Sequence, residues 1–499
     1  MSLNITFKDR YFQALPPLPY RCHVKSLSWS VFGGPDQATF TSQAPYDHLF
    51  HFLALLRAPV MVSDCFSNSV WWGFINEIQV SYQQSFVRLS LDDLFNKVKI
   101  LYTYISPNNQ INTPLLETPF ADDAASQEEY GIKERILLRE NIDDDLALAL
   151  RDTFLKTAAQ PRTTFAPAEG LLPTQIILSA KGWFHTLGWR FYQNLEGYYA
   201  NHGPGPGTQV FGSNTAQRVS QHFKPGIDCA LSQAFFLIRK IGTPVNKLHV
   251  RVVSSDGSQP VASLGSSDEV PGSALSNAYQ WIKFNWDPPV PLAANTPYFL
   301  TLRTDTLDNA HHYAARTDEN LNYSQPDMFA IFYNGASWGS IPSATSPGSK
   351  PPLYFRAITV KDTGDLLLDL AKAAGGFFTG IQSFQTGILS SPFRNNHHSV
   401  EAEILTLLKN GTIHQRLILA NVTPERRLVF YEQPDPNIPT AYMDPTGVFY
   451  TPTGQRLPAW SPPIGQFTAL KGIDRFNRPF DLKRTPNCFL DKYHYHAYK

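Results

Sequence analysis

The side chains best suited to chemistry here are scattered carboxylates, several neighbouring histidines, and tyrosines and tryptophans in one β-patterned stretch. Asp122, Asp123, Glu128 and Glu129 fall on one predicted helix, where a spacing of six or seven residues returns a carboxylate to the same face. Acid–base catalysis also needs a pocket that separates the two pKa values, and the flanking residues offer none. These four read as a solvated helix face or a polar contact to a neighbouring subunit. Asp143, Asp144 and Asp145 open a second helix, where the macrodipole favours negative charge. His311 and His312, His397 and His398, and His494 and His496 lack the fixed spacing to further ligands that zinc sites use. Asp305 and Asp308 sit in a Thr-Asp-Thr-Leu-Asp-Asn loop that could lend oxygens to a calcium ion, although an Asx-rich loop needs no metal. No Gly-x-Ser-x-Gly elbow, phosphate-binding loop or dinucleotide fingerprint occurs. The expectation is a protein that is not an enzyme, with no catalytic residues, no cofactor and no metal.

The aromatic residues point instead to binding. Along residues 279–286 the strand period places Ile282, Phe284 and Trp286 on one face and Tyr279, Trp281 and Lys283 on the other. With the Ile282 face as core, Tyr279 and Trp281 are exposed enough to stack on a sugar, and Tyr333 and Trp338 could join them from a loop. These four are the candidate glycan contacts. Contact with another protein is the competing use of such rings.

Residues 196–357 read as a jelly-roll-like β-sandwich that positions these rings. A Gly/Pro hinge at 201–207 (Asn-His-Gly-Pro-Gly-Pro-Gly) precedes a series of short strands. Leu248, Val250 and Val252 alternate with Lys247, His249 and Arg251, one face wet and one buried, before the turn at Ser255, Asp256 and Gly257. Further strands are predicted at 219–223, 229–239, 279–286, 297–303, 328–332 and 353–360, the pattern of a sandwich.

With 499 residues, 17% charged and 13% aromatic, the chain exceeds a single core and is rich in contact surface. Forty-two basic and forty-two acidic residues cancel, which argues against specific nucleic-acid binding and electrostatic membrane docking. The distant Cys22, Cys65, Cys229 and Cys488 make neither a disulfide framework nor a zinc site. The first residues lack a signal peptide's apolar core, and no apolar run approaches a transmembrane span. Hairpins are predicted over 22–42 and, with Gln83 and Gln84 as the turn, over 71–91. A strand is predicted at 188–192. Helices are predicted at 47–58, at 122–134 with Gly131 as C-cap, at 142–159 with Asn141 as cap, at 364–378, and at 400–408 capped by Ser399. Beyond residue 433 the sequence turns Pro-, Gly- and Tyr-rich, as in an extended arm that wraps partners or, equally, a poorly ordered end.

Five stretches resemble baseplate-hub or tail-tip proteins of tailed phages. They are Leu91-Asp92-Asp93-Leu94-Phe95-Asn96-Lys97-Val98; the acidic 122–134 segment; Gly182-Trp183 with Gly188-Trp189-Arg190-Phe191-Tyr192; Asp362-Thr363-Gly364-Asp365; and residues 426–434. They occur in the family's order, over about 20–195 and 358–465. The resemblance implies hub-type β-barrel domains with a helical element. The expected fold class is therefore mainly β with some α, multidomain: a first half of the body at 1–195, the inserted sandwich at 196–357, a second half at 358–433, and an extension at 434–499. The resemblance also implies a virion protein at the tail end, assembled in the host cytoplasm. It would associate with itself as a ring, a trimer by preference, and with tail-tube, baseplate or fibre proteins. Separately, the insert resembles carbohydrate-binding-like sandwiches through 216–223, 235–240 and 279–282, which implies contact with host surface glycans. The alternative reading is a glycan-binding adhesin or a glycan-active lytic enzyme with a binding module.

Overall fold

The computed structural model describes residues 3–45, 48–65, 67–105, 111–201, 206–319, 328–341, 350–375 and 377–434, with four short strands beyond. The fold is mainly β with a few short helices and is divided among several sheets. Two compact units form. One holds Met1–Tyr192, Thr363–Ile388 and His397–Lys499; the other holds Gln193–Asp362 and Leu389–Asn396. The Pro/Gly hinge at 202–205, His494, His496 and most of the C-terminal extension lie outside the described residues.

The first unit is built on a nine-stranded sheet whose centre is a pair of unusually long antiparallel strands, Ser69–Ser90 and Arg162–Lys181. The hairpin expected over residues 71–91 is therefore one continuous strand. Gln83-Gln84 supplies neither the Gly nor the Asn that a tight turn demands, and a long partner was available to pair with it. The hairpin at residues 22–42 does form, His23–Ser30 against Phe32–Ser42. Trp71, Phe40 and Phe74 are fully buried on this sheet, with Phe52 of the helix Leu49–Leu53 in the same core. The Trp72 indole N–H closes the packing by donating to the Val422 carbonyl at 2.7 Å.

A smaller four-stranded sheet in the same unit joins Lys97–Ile105, Ile111–Glu117, Ala121–Asp122 and Glu134–Arg139. The helix Asp144–Ala158 covers it, with Ala147 against Val98, Ile100 and Leu137. Its cap is Asp143, whose carboxylate accepts from the Leu146 N–H, rather than the predicted Asn141. Asn141 instead takes a positive φ just before the helix. Ser399 caps Val400–Leu408 as expected. The helix predicted at 47–58 shortens to Leu49–Leu53, and the strand predicted at 188–192 begins inside a 3-10 helix, Trp183–Trp189. There Trp183, Phe184, Leu187 and Trp189 are all buried, a spacing that a strand facing one core could not satisfy.

The second unit is a sandwich of two seven-stranded sheets. The first runs Tyr198–Asn201, Phe355–Asp362, Cys229–Ile241, His312–Asp318 and Pro206–Phe211, with Gln280–Leu292 on the other edge of Cys229–Ile241 and Leu389–Ser390 on Phe355–Asp362. The second runs Pro260–Ser266, Lys247–Ser255, Tyr298–Thr304, Arg218–Phe223, Ala330–Tyr333 and Trp338–Ser340, with Val270–Pro271 beside Lys247–Ser255. Between them lies one core. Leu231, Phe236, Ile238 and Phe284 come from one sheet and Leu248, Val250, Val252, Leu300 and Leu302 from the other. Burying such side chains at about 1.5–3 kcal/mol each is what holds the two sheets face to face. The expected boundary at 357 falls within Phe355–Asp362, and residues 389–396, expected in the body, add an edge strand here. The chain enters and leaves on neighbours: Tyr198–Asn201 pairs antiparallel with Phe355–Asp362, Asn201 opposite Phe355.

Candidate functional site

The sandwich carries its polar and aromatic side chains on the outer faces because the inner positions are taken by the core. On the first sheet Ile282, Phe284 and Trp286 point inward, so Trp281 and Lys283 alternate outward. Tyr279 lies between two guanidiniums, Arg239 at 5.0 Å and Arg316 at 4.9 Å from its ring centroid, and its hydroxyl meets that of Thr208 at 2.9 Å. Arg356 lies over Trp281 at 4.4 Å. Both rings thus present guanidinium-covered faces. Attraction between a cation and a ring quadrupole accounts for the pairing.

Tyr333 and Trp338 belong to the second sheet. They do not join the first pair, because Tyr333 ends one strand and Trp338 begins the next across a tight connection. Facing each other in that hairpin, their rings stand 5.2 Å apart. The four expected contacts are therefore two pairs on two sheets.

Register on the second sheet aligns residues that are far apart in sequence. His249 faces Arg303 on the next strand. Since Val219 faces Leu302, Arg218 continues the same row and itself faces Tyr333, which faces Trp338. One row further along, Arg251 faces Thr301 and Thr301 faces Ser220, whose hydroxyl meets that of Thr301 at 2.7 Å. Arg218 stacks on Tyr333 at 5.1 Å. Arg251 and Arg303 are half-buried, and neither has a hydrogen bond, ion pair or ring contact among the described residues. Burial first, then the charges of Arg218 and Arg251, push the Arg303 guanidinium down to about 10. His249 is buried with neither ring nitrogen hydrogen-bonded, and its pKa is lowered by burial and by Arg251 and Arg303, with Asp305 and Glu269 opposing. Glu269 is held by Lys247 at 2.7 Å. Sequence reading placed Arg251 on a wet strand face but gave none of these arginines a role. The available signal was arginine at outward positions of otherwise apolar strands, as in Leu-His-Val-Arg-Val-Val and Leu-Thr-Leu-Arg.

The other candidates have local tasks. Asp123 caps the helix Ala124–Tyr130, Asp122 accepts from the Gln127 amide at 2.8 Å, and Glu129 pairs with Arg10. Asp308 accepts from the Ala310 and His311 N–H groups, and His311 accepts from the Thr243 N–H. His398 pairs with Glu403 at 3.0 Å. Among the described residues no group of three His, Cys, Asp or Glu could hold a metal ion, and Cys22, Cys65 and Cys229 are unbridged.

Two further features of the first unit were not expected. His185 is held between carboxylates, Nε2 to Asp36 at 2.8 Å and Nδ1 to Glu401 at 3.4 Å. Burial lowers its pKa, but the hydrogen bonds and charges of Asp36 and Glu401 outweigh that and raise it to about 9. A charged imidazole with both nitrogens engaged has no free lone pair to act as a base. A cavity of about 60 Å³ is lined by Phe12, Trp72, Trp183 and Arg426 among others. It suits a few waters rather than a sugar ring.

No family description matches this chain, and no curated protein matches it. Among solved structures, the mosquito-larvicidal Cry4Aa toxin from Bacillus thuringiensis is similar over 59% of this chain and 51% of its own, at 9% identity and a TM-score of 0.17. That likeness spans about half of the toxin's chain and carries no argument.

Proposed function

We propose that this chain is a recognition and assembly protein of a phage tail tip: a β-rich body that associates with copies of itself and with tail, baseplate or fibre proteins, bearing a sandwich that contacts the host surface. The observation that carries the reading is the insertion. The sandwich leaves and rejoins the chain on paired neighbouring strands, Tyr198–Asn201 and Phe355–Asp362, and has a core of its own. A module grafted in this way can vary its ligand without disturbing the body that carries it. The outer aromatic and arginine side chains are the groups recognition surfaces use. The tail setting comes from the five motif stretches. Three of them, 91–98, 122–134 and 182–192, interlock in the first unit. Asn96 bonds Ser126, Gly131 and Lys133, and Glu134 bonds Lys97, Arg190 and the Phe191 N–H.

Native mass measurement of the purified chain, alone and with tail proteins, tests the assembly. A ring, a trimer by preference, supports it. A monomer that neither joins tail proteins nor adheres to host cells, or one that hydrolyses glycans, overturns it.

A further inference from the structure

We propose that the outer face of the second sandwich sheet, at Arg218, Arg251 and Arg303, binds an acidic glycan through its carboxylate, sulfate or phosphate groups. This names the ligand class for the recognition role above and rests on that reading. Three arginines stand on one face of three adjacent strands, which lie about 4.8 Å apart, close enough that Arg303 feels the charges of the other two, and no carboxylate pairs with any of them among the described residues. Asp305 and Glu269 act on the neighbouring His249, and Glu269 is already taken by Lys247.

Cations gathered without a counter-charge repel one another, and the arrangement is relieved when an anion arrives. Guanidinium forks match the planar oxygens of carboxylate, sulfate and phosphate. The face also differs from that of the first sheet. There Arg239, Arg316 and Arg356 are engaged with the rings of Tyr279 and Trp281. Here Arg251 and Arg303 have no partner among the described residues.

The aromatic end of the row favours a sugar over a simple ion. Arg218 leads directly to Tyr333 and Trp338, so an acidic substituent held by the arginines would place its ring beside an aromatic pair. Three strands span roughly 10–15 Å, room for two or three sugar rings. A nucleic-acid strand would want a longer cationic track with successive stacking platforms.

The test uses the full chain and immobilised dextran sulfate, alginate, neutral dextran and an oligo-dT strand, at low and raised salt. Dextran sulfate or alginate should bind, weaken with salt, and outcompete neutral dextran by about 10-fold or more. Arg251→Gln/Arg303→Gln should lose about 10-fold or more of that binding. Lys156→Gln/Lys409→Gln, which removes the same charge at exposed positions outside the sandwich, should stay within about 2-fold. If the arginine double variant does not fold, Arg251→Gln alone carries the comparison. Equal loss in both variants, binding of oligo-dT as tight as of the acidic glycans, or no acidic-glycan binding at low salt would overturn the proposal. In the last case, continued adhesion to host cells would leave the recognition role standing and remove only this ligand.

Discussion

The Arg356 guanidinium lies over the Trp281 ring, 4.4 Å from its centroid, on the outer face of the first sandwich sheet. The contact joins two strands on opposite edges of Cys229–Ile241. It therefore ties the sheet laterally where backbone bonds do not reach. A double-mutant cycle between Arg356→Ala and Trp281→Ala should give a coupling of about 0.5–2 kcal/mol. Trp281→Ala alone should cost little more than the packing it removes. Coupling indistinguishable from zero by denaturant unfolding would mean that the two side chains merely lie close.

The His185 clamp makes the first unit's stability depend on pH. The folded imidazole titrates at about 9, above its ordinary 6.5, and Asp36, hydrogen-bonded to it, is held below the usual carboxylate range. A raised folded pKa means the stabilisation is fully present below about pH 6.5 and is lost as pH rises through about 9. The Asp36 side is present above about pH 4 and is lost on acidification. With both groups about one-third exposed, the contribution is on the order of 2 kcal/mol after allowance for solvent screening. Melting curves of wild type and His185→Gln should differ most near pH 5–6 and converge by about pH 10. A gap that stays constant over that range would show that the imidazole charge is not what holds Asp36 and Glu401.

What could be read from the sequence followed how locally each feature is encoded. Leu248, Val250 and Val252 announce a half-buried strand by themselves, and Ile282, Phe284 and Trp286 identify the core face without knowledge of their partners. Ser399 and Gly131 mark helix ends because capping involves only the next few residues. Gly131 takes a φ of 88°, and a Cβ there would meet the Phe377 ring at 2.3 Å. The arginine face was not legible in the same way. Arg218, Arg251, Arg303 and Tyr333 become neighbours only through the register of four strands drawn from over a hundred residues of chain. The long strand Ser69–Ser90 was misread for a related reason, since its length is set by a partner some ninety residues on.

Asp143 offers a local test of the helix that covers the small sheet. Its carboxylate accepts from the Leu146 N–H at 2.8 Å, and Asp144 and Asp145 follow in the first turn. Asp143→Ala should destabilise the unit by about 1 kcal/mol, while Asp143→Asn, which keeps an acceptor, should cost a few tenths. Equal losses for the two would mean that charge near the helix end matters more than the cap bond, and raised salt would then reduce both.

Asn96 carries more, because every polar atom of its side chain is used. It is fully buried, donates from Nδ2 to the Ser126 hydroxyl at 3.1 Å and to the Gly131 carbonyl at 2.8 Å, and accepts from the Lys133 N–H at 2.8 Å. Its own carbonyl accepts from the Gln127 amide at 3.0 Å. This one residue thus fastens the start of Lys97–Ile105 to the helix Ala124–Tyr130 and to the turn that follows it. Removing the amide strands a buried N–H and a carbonyl, each worth about 1–3 kcal/mol when left without a partner. Asn96→Ala should therefore lower stability by about 3 kcal/mol. Asn96→Asp should do no better, since a carboxylate cannot donate to Gly131 and would be buried with its charge unpaired. Hydrogen exchange gives the sharper readout: the Lys133 amide should lose protection in either variant while amides of Ser69–Ser90 keep theirs. Unchanged protection at Lys133 would mean that water or a neighbouring group replaces the Asn96 acceptor, and the assignment of this side chain as the fastening would fall.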